Sequence, residues 1–204
     1  MTKIKICGIT NYEDAQNAAN LGADFLGFNL YTKSPRYVDC KKAANIAKKL
    51  YGKAKIVGVF VNETDDNIRK TDNFCGFDLI QLSGDETNEF VAGLKEKLNK
   101  KIVKCLHIKD SKDIKSIKNS KFDYLMLDSF KKGFYGGTGN AFDLKLVKYA
   151  NTENLFLAGG LNASNVKQVI KKINPFAVDV CSGVESHAGK KDYAKMKKFI
   201  EAVK

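Results

Sequence analysis

The chain has no tryptophan, two prolines, two histidines and two arginines. Its apolar residues never form a run of the roughly 18 needed to cross a bilayer as a helix. The first residues, Met1-Thr2-Lys3-Ile4-Lys5, lead into a short apolar strand, without the longer apolar core and cleavage site of a secretory leader. These absences point to a cytoplasmic protein with no membrane partner. The five cysteines (Cys7, Cys40, Cys75, Cys105 and Cys181) are odd in number and far apart, with no CxxC. Neither His107 nor His187 has a ligand partner at useful spacing. That excludes a disulfide framework and a zinc site, and most of the thiols read as small buried hydrophobes.

The shortage of arginine bears on the charge. The net charge is +12, yet of 35 basic residues only Arg36 and Arg69 are arginines, so 33 are lysines. The lysines come as scattered pairs rather than a stripe with interleaved aromatics. Base readout and phosphate clamping favour arginine, so the excess reads as lysine bias on solvated helix faces, and no nucleic-acid partner is expected. The positive field still favours an anionic small molecule.

What is present is alternation. Length (204 residues), 44% hydrophobic and 28% charged content fit one globular domain over 1–204 with a core of its own. Eight short β-rich runs recur: Ile4–Gly8, Phe25–Asn29, Lys55–Val61, Leu79–Leu82, Ile102–His107, Tyr124–Asp128, Leu155–Ala158 and Ala177–Cys181. Amphipathic stretches follow, beginning near Tyr12, Cys40, Asp65, Asn88, Asp113, Asp143, Ser164 and Lys190. Thr10 with Glu13 fits a capping box for the first. The near-continuous apolar character suits strands covered on both faces. Eight β/α units of about 25 residues make a small (β/α)8 TIM barrel, with a doubly wound open sheet as the competitor. No internal repeat beyond the β/α period stands out.

A barrel places catalytic residues at the C-terminal ends of its strands, and phosphate near strands seven and eight. Cys7 ends the first strand, as a buried thiol before a turn glycine or as a base or nucleophile. Arg36 follows the second, as a surface charge or as a planar fork for a carboxylate or phosphate. Gln81 is a polar residue in an apolar strand, aimed into the mouth or bonded to backbone. Asp85 and Glu86 read as the start of the next helix. Asp128 ends the sixth strand, as a general acid or as a cap of the next loop. Gly136-Gly137-Thr138-Gly139-Asn140 is a flexible loop rich in backbone donors. Gly159 and Gly160 after the seventh strand, with Ser182 and Gly183 after the eighth, form a phosphate site or two ordinary turns.

Taken together and in order, Lys5-Ile6-Cys7-Gly8-Ile9-Thr10, Ser34-Pro35-Arg36, Val57-Gly58-Val59-Phe60-Val61, Gln81-Leu82-Ser83-Gly84-Asp85, Leu127-Asp128-Ser129, Gly136-Gly137-Thr138-Gly139, Ala158-Gly159-Gly160-Leu161 and Val180-Cys181-Ser182-Gly183-Val184-Glu185 resemble the phosphoribosylanthranilate isomerase family. The family usually has His where Ser83 stands. The resemblance implies an Amadori rearrangement in tryptophan biosynthesis on a phosphorylated, anionic small molecule, without metal or other cofactor, by a monomer or homodimer. It further implies Cys7 as general base, Asp128 as general acid, Arg36 on the anthranilate carboxylate, Asp179 on the substrate amine and Gln81 as a substrate contact. Gly137, Thr138, Gly139, Gly159, Gly160, Ser182 and Gly183 would hold phosphate. Indole-glycerol-phosphate synthase and sugar-phosphate epimerases are rivals on the same fold, and an RNA-binding role is a rival from another class.

Overall fold

The structure is a computed structural model, and it describes residues 1–108, 121–129 and 151–204. Eight strands close a barrel in chain order: β1 (Lys3–Cys7), β2 (Phe25–Asn29), β3 (Lys55–Phe60), β4 (Leu79–Leu82), β5 (Lys101–Ile108), β6 (Tyr124–Ser129), β7 (Leu155–Leu157) and β8 (Ala177–Val180). Every neighbouring pair is parallel, and β8 returns to β1 with Lys5 opposite Asp179. The open-sheet competitor is set aside by that closure. The expected helices near Asp113 and Asp143 lie outside the described residues.

The described helices are α1 (Tyr12–Leu21), α2 (Cys40–Lys49), α3 (Asp65–Cys75), α4 (Asn88–Lys97), α5 (Val166–Ile173) and α6 (Tyr193–Val203). Their apolar faces cover the outside of the barrel, where Ile4, Ile6, Leu26, Phe28, Ile80, Leu82 and Val178 meet Ala15, Ile46, Ile68, Val91 and Phe199. The alternate residues of the same strands point inward and fill the barrel with Phe25, Val57, Val59, Leu79, Val103, Met126 and Phe156. With both faces buried, the strands need no polar side, which is why their sequences are almost unbroken in apolar character.

Several local expectations give way. Helix α1 is capped by Asn11, whose side chain accepts from the Asp14 amide, while Thr10 bonds Gly189 instead. Asn11 wins because it stands directly before the first helical residue, where its carbonyl reaches a free N–H. Lys190 and Lys191 do not begin the last helix. They form a short strand, β10, antiparallel to β9 (Glu185–His187), and α6 starts after the Asp192 cap. Of the cysteines only Cys75 and Cys105 are buried; Cys40 is exposed and Cys7 and Cys181 are part-buried.

A short device recurs at the N-terminal end of the barrel. The Asp before β2, β4 and β6 accepts from a backbone N–H of the preceding strand: Asp24 from Ile4, Asp78 from Ile56 and Asp123 from Ile102. Each bond ties two strands together at their starts and fixes their register. Just inside, Phe25, Tyr124, Phe156 and Phe176 pack ring on ring, with centroids 5.0 to 5.5 Å apart for the closest pairs.

Candidate functional site

The opposite end of the barrel is polar. Strand β1 delivers Cys7 to its C-terminal edge, and Gly8 turns the chain away with a φ of 73°. A side chain at Gly8 would lie 2.8 Å from the Arg36 Cδ and 2.9 Å from the Cys181 Sγ. Glycine there lets the β2–α2 loop and the end of β8 close over the end of β1.

Arg36 is held firmly. Its Nε and Nη2 donate to the two oxygens of Glu185, at 2.9 and 2.7 Å. Lys191 donates to the same carboxylate at 2.8 Å and to the Cys181 carbonyl at 3.2 Å. Two cations on one buried carboxylate leave local positive charge at the mouth. Burial alone favours the neutral acid, but the hydrogen bonds from Arg36 and Lys191 hold Glu185 below the usual carboxylate range. The β9–β10 hairpin that carries Glu185 and Lys191 is pinned to α1, since Asp14 accepts from Lys190 Nζ at 2.7 Å and from the Lys191 amide at 2.8 Å.

Asp128 at the end of β6 and Asp179 on β8 are both buried. They line a small cleft together with Gly159, Gly160, Ser182 and Gly183. Gly159 and Gly160 both have positive φ, 90° and 65°, which glycine adopts without strain. A side chain at Gly183 would collide with the Leu161 carbonyl, at 2.1 Å. Thus the two loops approach each other backbone to backbone, with carboxylates at the edge. The first loop leads to α5; the second leads to a 3-10 turn, Ser182–Val184, and not to an α-helix. Gly137, Thr138 and Gly139 lie outside the described residues.

Gln81 points into the barrel from β4. Its Nε2 donates to the Ser83 Oγ at 2.9 Å, while its Oε1 is buried without a hydrogen-bond partner. The side chain is therefore not spent on backbone. Glu86 does not start a helix as expected, since Thr87 caps α4. Its carboxylate is buried and accepts from the amides of Asn62 and Gly84 and from Lys104 Nζ at 2.5 Å. The dense set of donors in the loop outcompetes the weak field of a helix end.

Cys7 is part-buried. Burial pushes its thiol up, Lys5 and Lys191 pull it down, and Asp179 pushes it up again, leaving it above the ordinary thiol value. Cys181, beside it, is pushed up to about 12, chiefly by burial. Reading single residues missed Lys5, Glu185 and Lys191. For Lys5 the signal was available, as an inward lysine in the alternation Lys3-Ile4-Lys5-Ile6-Cys7. For the other two the signal was their contact across the fold, which spacing does not carry. Among the described residues no three metal-ligating side chains are placed to hold an ion, and no helix is long and apolar enough to cross a membrane.

Paired carboxylates and a thiol at the C-terminal mouth, over two glycine loops after strands seven and eight, have the layout of a (β/α)8-barrel enzyme site. Residues 4–202 match the family model for N-(5'-phosphoribosyl)anthranilate (PRA) isomerase. The chain is 44% identical to the N-(5'-phosphoribosyl)anthranilate isomerase of Aquifex aeolicus, covering all of this chain and 99% of that one. It superposes on the crystal structure of phosphoribosyl anthranilate isomerase from Thermotoga maritima with a TM-score of 0.90, at 35% identity over all of this chain and 98% of that one. A further structure, of the isomerase in complex with reduced 1-(o-carboxyphenylamino)-1-deoxyribulose 5-phosphate, matches with a TM-score of 0.85 at 35% identity, again over all of this chain and 98% of the other. The chain belongs to the N-(5'-phosphoribosyl)anthranilate isomerase family, and is an isomerase of tryptophan biosynthesis.

Proposed function

We propose that the chain, acting as one barrel domain over 1–204, rearranges N-(5'-phosphoribosyl)anthranilate to 1-(2-carboxyphenylamino)-1-deoxyribulose 5-phosphate by general acid–base catalysis at this mouth. The observation that carries the reading is the cleft in which Asp128 and Asp179 meet the glycine loops after β7 and β8. Gly159, Gly160, Ser182 and Gly183 hold the phosphate, joined by Gly137, Thr138 and Gly139. Arg36 holds the anthranilate carboxylate. Because Glu185 takes the Nε and Nη2 edge, the Nη1 side is the one offered to substrate. Gln81 is a further substrate contact, through the Oε1 that has no other partner.

Asp128 protonates the furanose ring oxygen as the C–O bond breaks. The resulting Schiff base acidifies the proton on the neighbouring sugar carbon, Cys7 removes it as thiolate, and the enolamine tautomerises to the ketone. Asp179 steadies the substrate amine. Each positioned proton transfer is worth about 10²–10⁴-fold. The thiol's raised pKa means that kcat/KM climbs with pH through and beyond neutrality. We assign the protein to the cytoplasm, as a monomer or homodimer, and its mass in solution distinguishes the two.

The direct test is loss of fluorescence of phosphoribosylanthranilate generated in situ, with Cys7→Ala alongside. Loss with wild type alone supports both reaction and base. Equal loss with the variant rejects Cys7, and no loss with folded wild type rejects the substrate.

A further inference from the structure

Beneath Cys7, and outside every role assigned so far, lies Lys5. Its side chain is wholly enclosed in the barrel. A lysine almost never goes there unpaired. Its Nζ donates to Asp179 Oδ1 at 2.8 Å. Lys5 and Cys7 are two apart on β1, so both face inward. On the adjacent strand, Gly27 leaves open the point where a Cβ would stand 3.1 Å from Lys5 Nζ and 2.8 Å from Cys7 Sγ. Ammonium and sulfur thus converge on the gap left by one missing side chain.

We propose that Lys5 is the positioning residue for the base: its ammonium, gripped by Asp179, is the counter-charge that favours the Cys7 thiolate against the cost of burial. This rests on Cys7 being the base. Among the described residues, the charged and titratable groups facing Cys7 are Lys5 on β1, Asp179 on β8 with Cys181 just beyond it, Arg36 in the β2–α2 loop and Lys191 on β10. Burial opposes the thiolate most, Lys5 is the strongest charge in its favour, and Asp179 works against it. A substrate amine that draws on Asp179 weakens this opposing charge, so the base is readied by occupancy. On ionisation the thiol proton leaves to water. The thiolate then takes the substrate's proton and is a thiol again, and Lys5 keeps its own proton throughout.

The test reads the ionisation of Cys7 directly, as the rate of its alkylation by iodoacetamide across pH, located by peptide mass spectrometry. A Cys40→Ser background removes the exposed thiol. Lys5→Met keeps the volume and deletes the charge. Its alkylation midpoint should rise by about 1–3 pH units, and the pH profile of kcat/KM should move with it. Asp179→Asn keeps an acceptor for Lys5 but loses the negative charge, so its midpoint should fall. An unmoved midpoint in Lys5→Met overturns the proposal. If that variant does not fold, Asp179→Asn decides: a lower midpoint supports the proposal, an equal or higher one overturns it. Normal turnover in Cys7→Ala would sink the base assignment while leaving the midpoint shift to be seen, so the two failures are separable.

Discussion

The two ends of this barrel are built from the same eight strands and do opposite work. At the N-terminal end four aromatic rings interlock and three aspartates clamp strand to strand. At the C-terminal end the inward positions carry Cys7, Gln81, Asp128 and Asp179, with Arg36, Glu185 and Lys191 closing in from loops. The boundary is a single layer deep: Lys5 is in register with Phe25 on one side and Asp179 on the other. Apolar surface held away from water stabilises the floor. Buried charges at the mouth contribute little net stability, since desolvation offsets their attraction, and their value lies in fixed geometry. The comparison predicts that floor and mouth can be damaged separately.

The largest effects test that separation. Cys7→Ala should lower kcat by about 10²–10⁴-fold with Tm nearly unchanged. Phe156→Ala should do the reverse, costing about 3–5 kcal/mol and on the order of 10 °C in Tm, while the kcat of the remaining folded enzyme is kept. Calorimetry beside steady-state kinetics reads both. A large Tm loss in the first or a kcat loss in the second would erase the division.

Arg36→Ala comes next. Loss of a charge-assisted hydrogen bond worth about 1.5–3 kcal/mol should raise KM by roughly 10–100-fold, with a smaller change in kcat. An unchanged KM rejects the carboxylate contact.

The smallest effect sharpens the role of charge at the mouth. Glu185 is held below its ordinary value, with hydrogen bonds from Arg36 and Lys191 overcoming burial. A depressed carboxylate contributes stability above its unfolded pKa and loses it as the pH falls through the folded value. Wild type should therefore exceed Glu185→Gln in Tm at neutral pH, and the gap should close on acidification below about pH 4.5. A gap independent of pH would show that the pairing is geometric alone.

Much of the fold was legible. The eight strand segments were readable because a parallel barrel demands apolar residues on both faces of each strand. Closure itself was an inference from count and spacing. Caps were harder: Asn11 and Thr10 are adjacent polar residues, and only the chain's path decides which faces the helix. The Asp24, Asp78 and Asp123 clamps follow a short pattern of Asp before an apolar strand, too brief to stand out. Of the site, Asp128 lines one cleft with Gly159, Gly160, Ser182 and Gly183, all read from strand ends, and with Asp179, which the family resemblance supplied. Glu86 was misread because an acidic residue near a helix start has a ready local explanation, while its partner Lys104 is 18 positions away.

The sequence alone determined the alternation, the barrel's two-sided apolar strands, and which polar residues reach strand ends, because these follow from local periodicity. Only the tertiary structure decided that Lys5 lies between Asp179 and Cys7, that Glu185 is shared by Arg36 and Lys191, and that two distant glycine loops face one cleft. Those are contacts between residues up to 174 positions apart. Barrel closure brings the first strand against the last, and no local pattern encodes which side chains then meet.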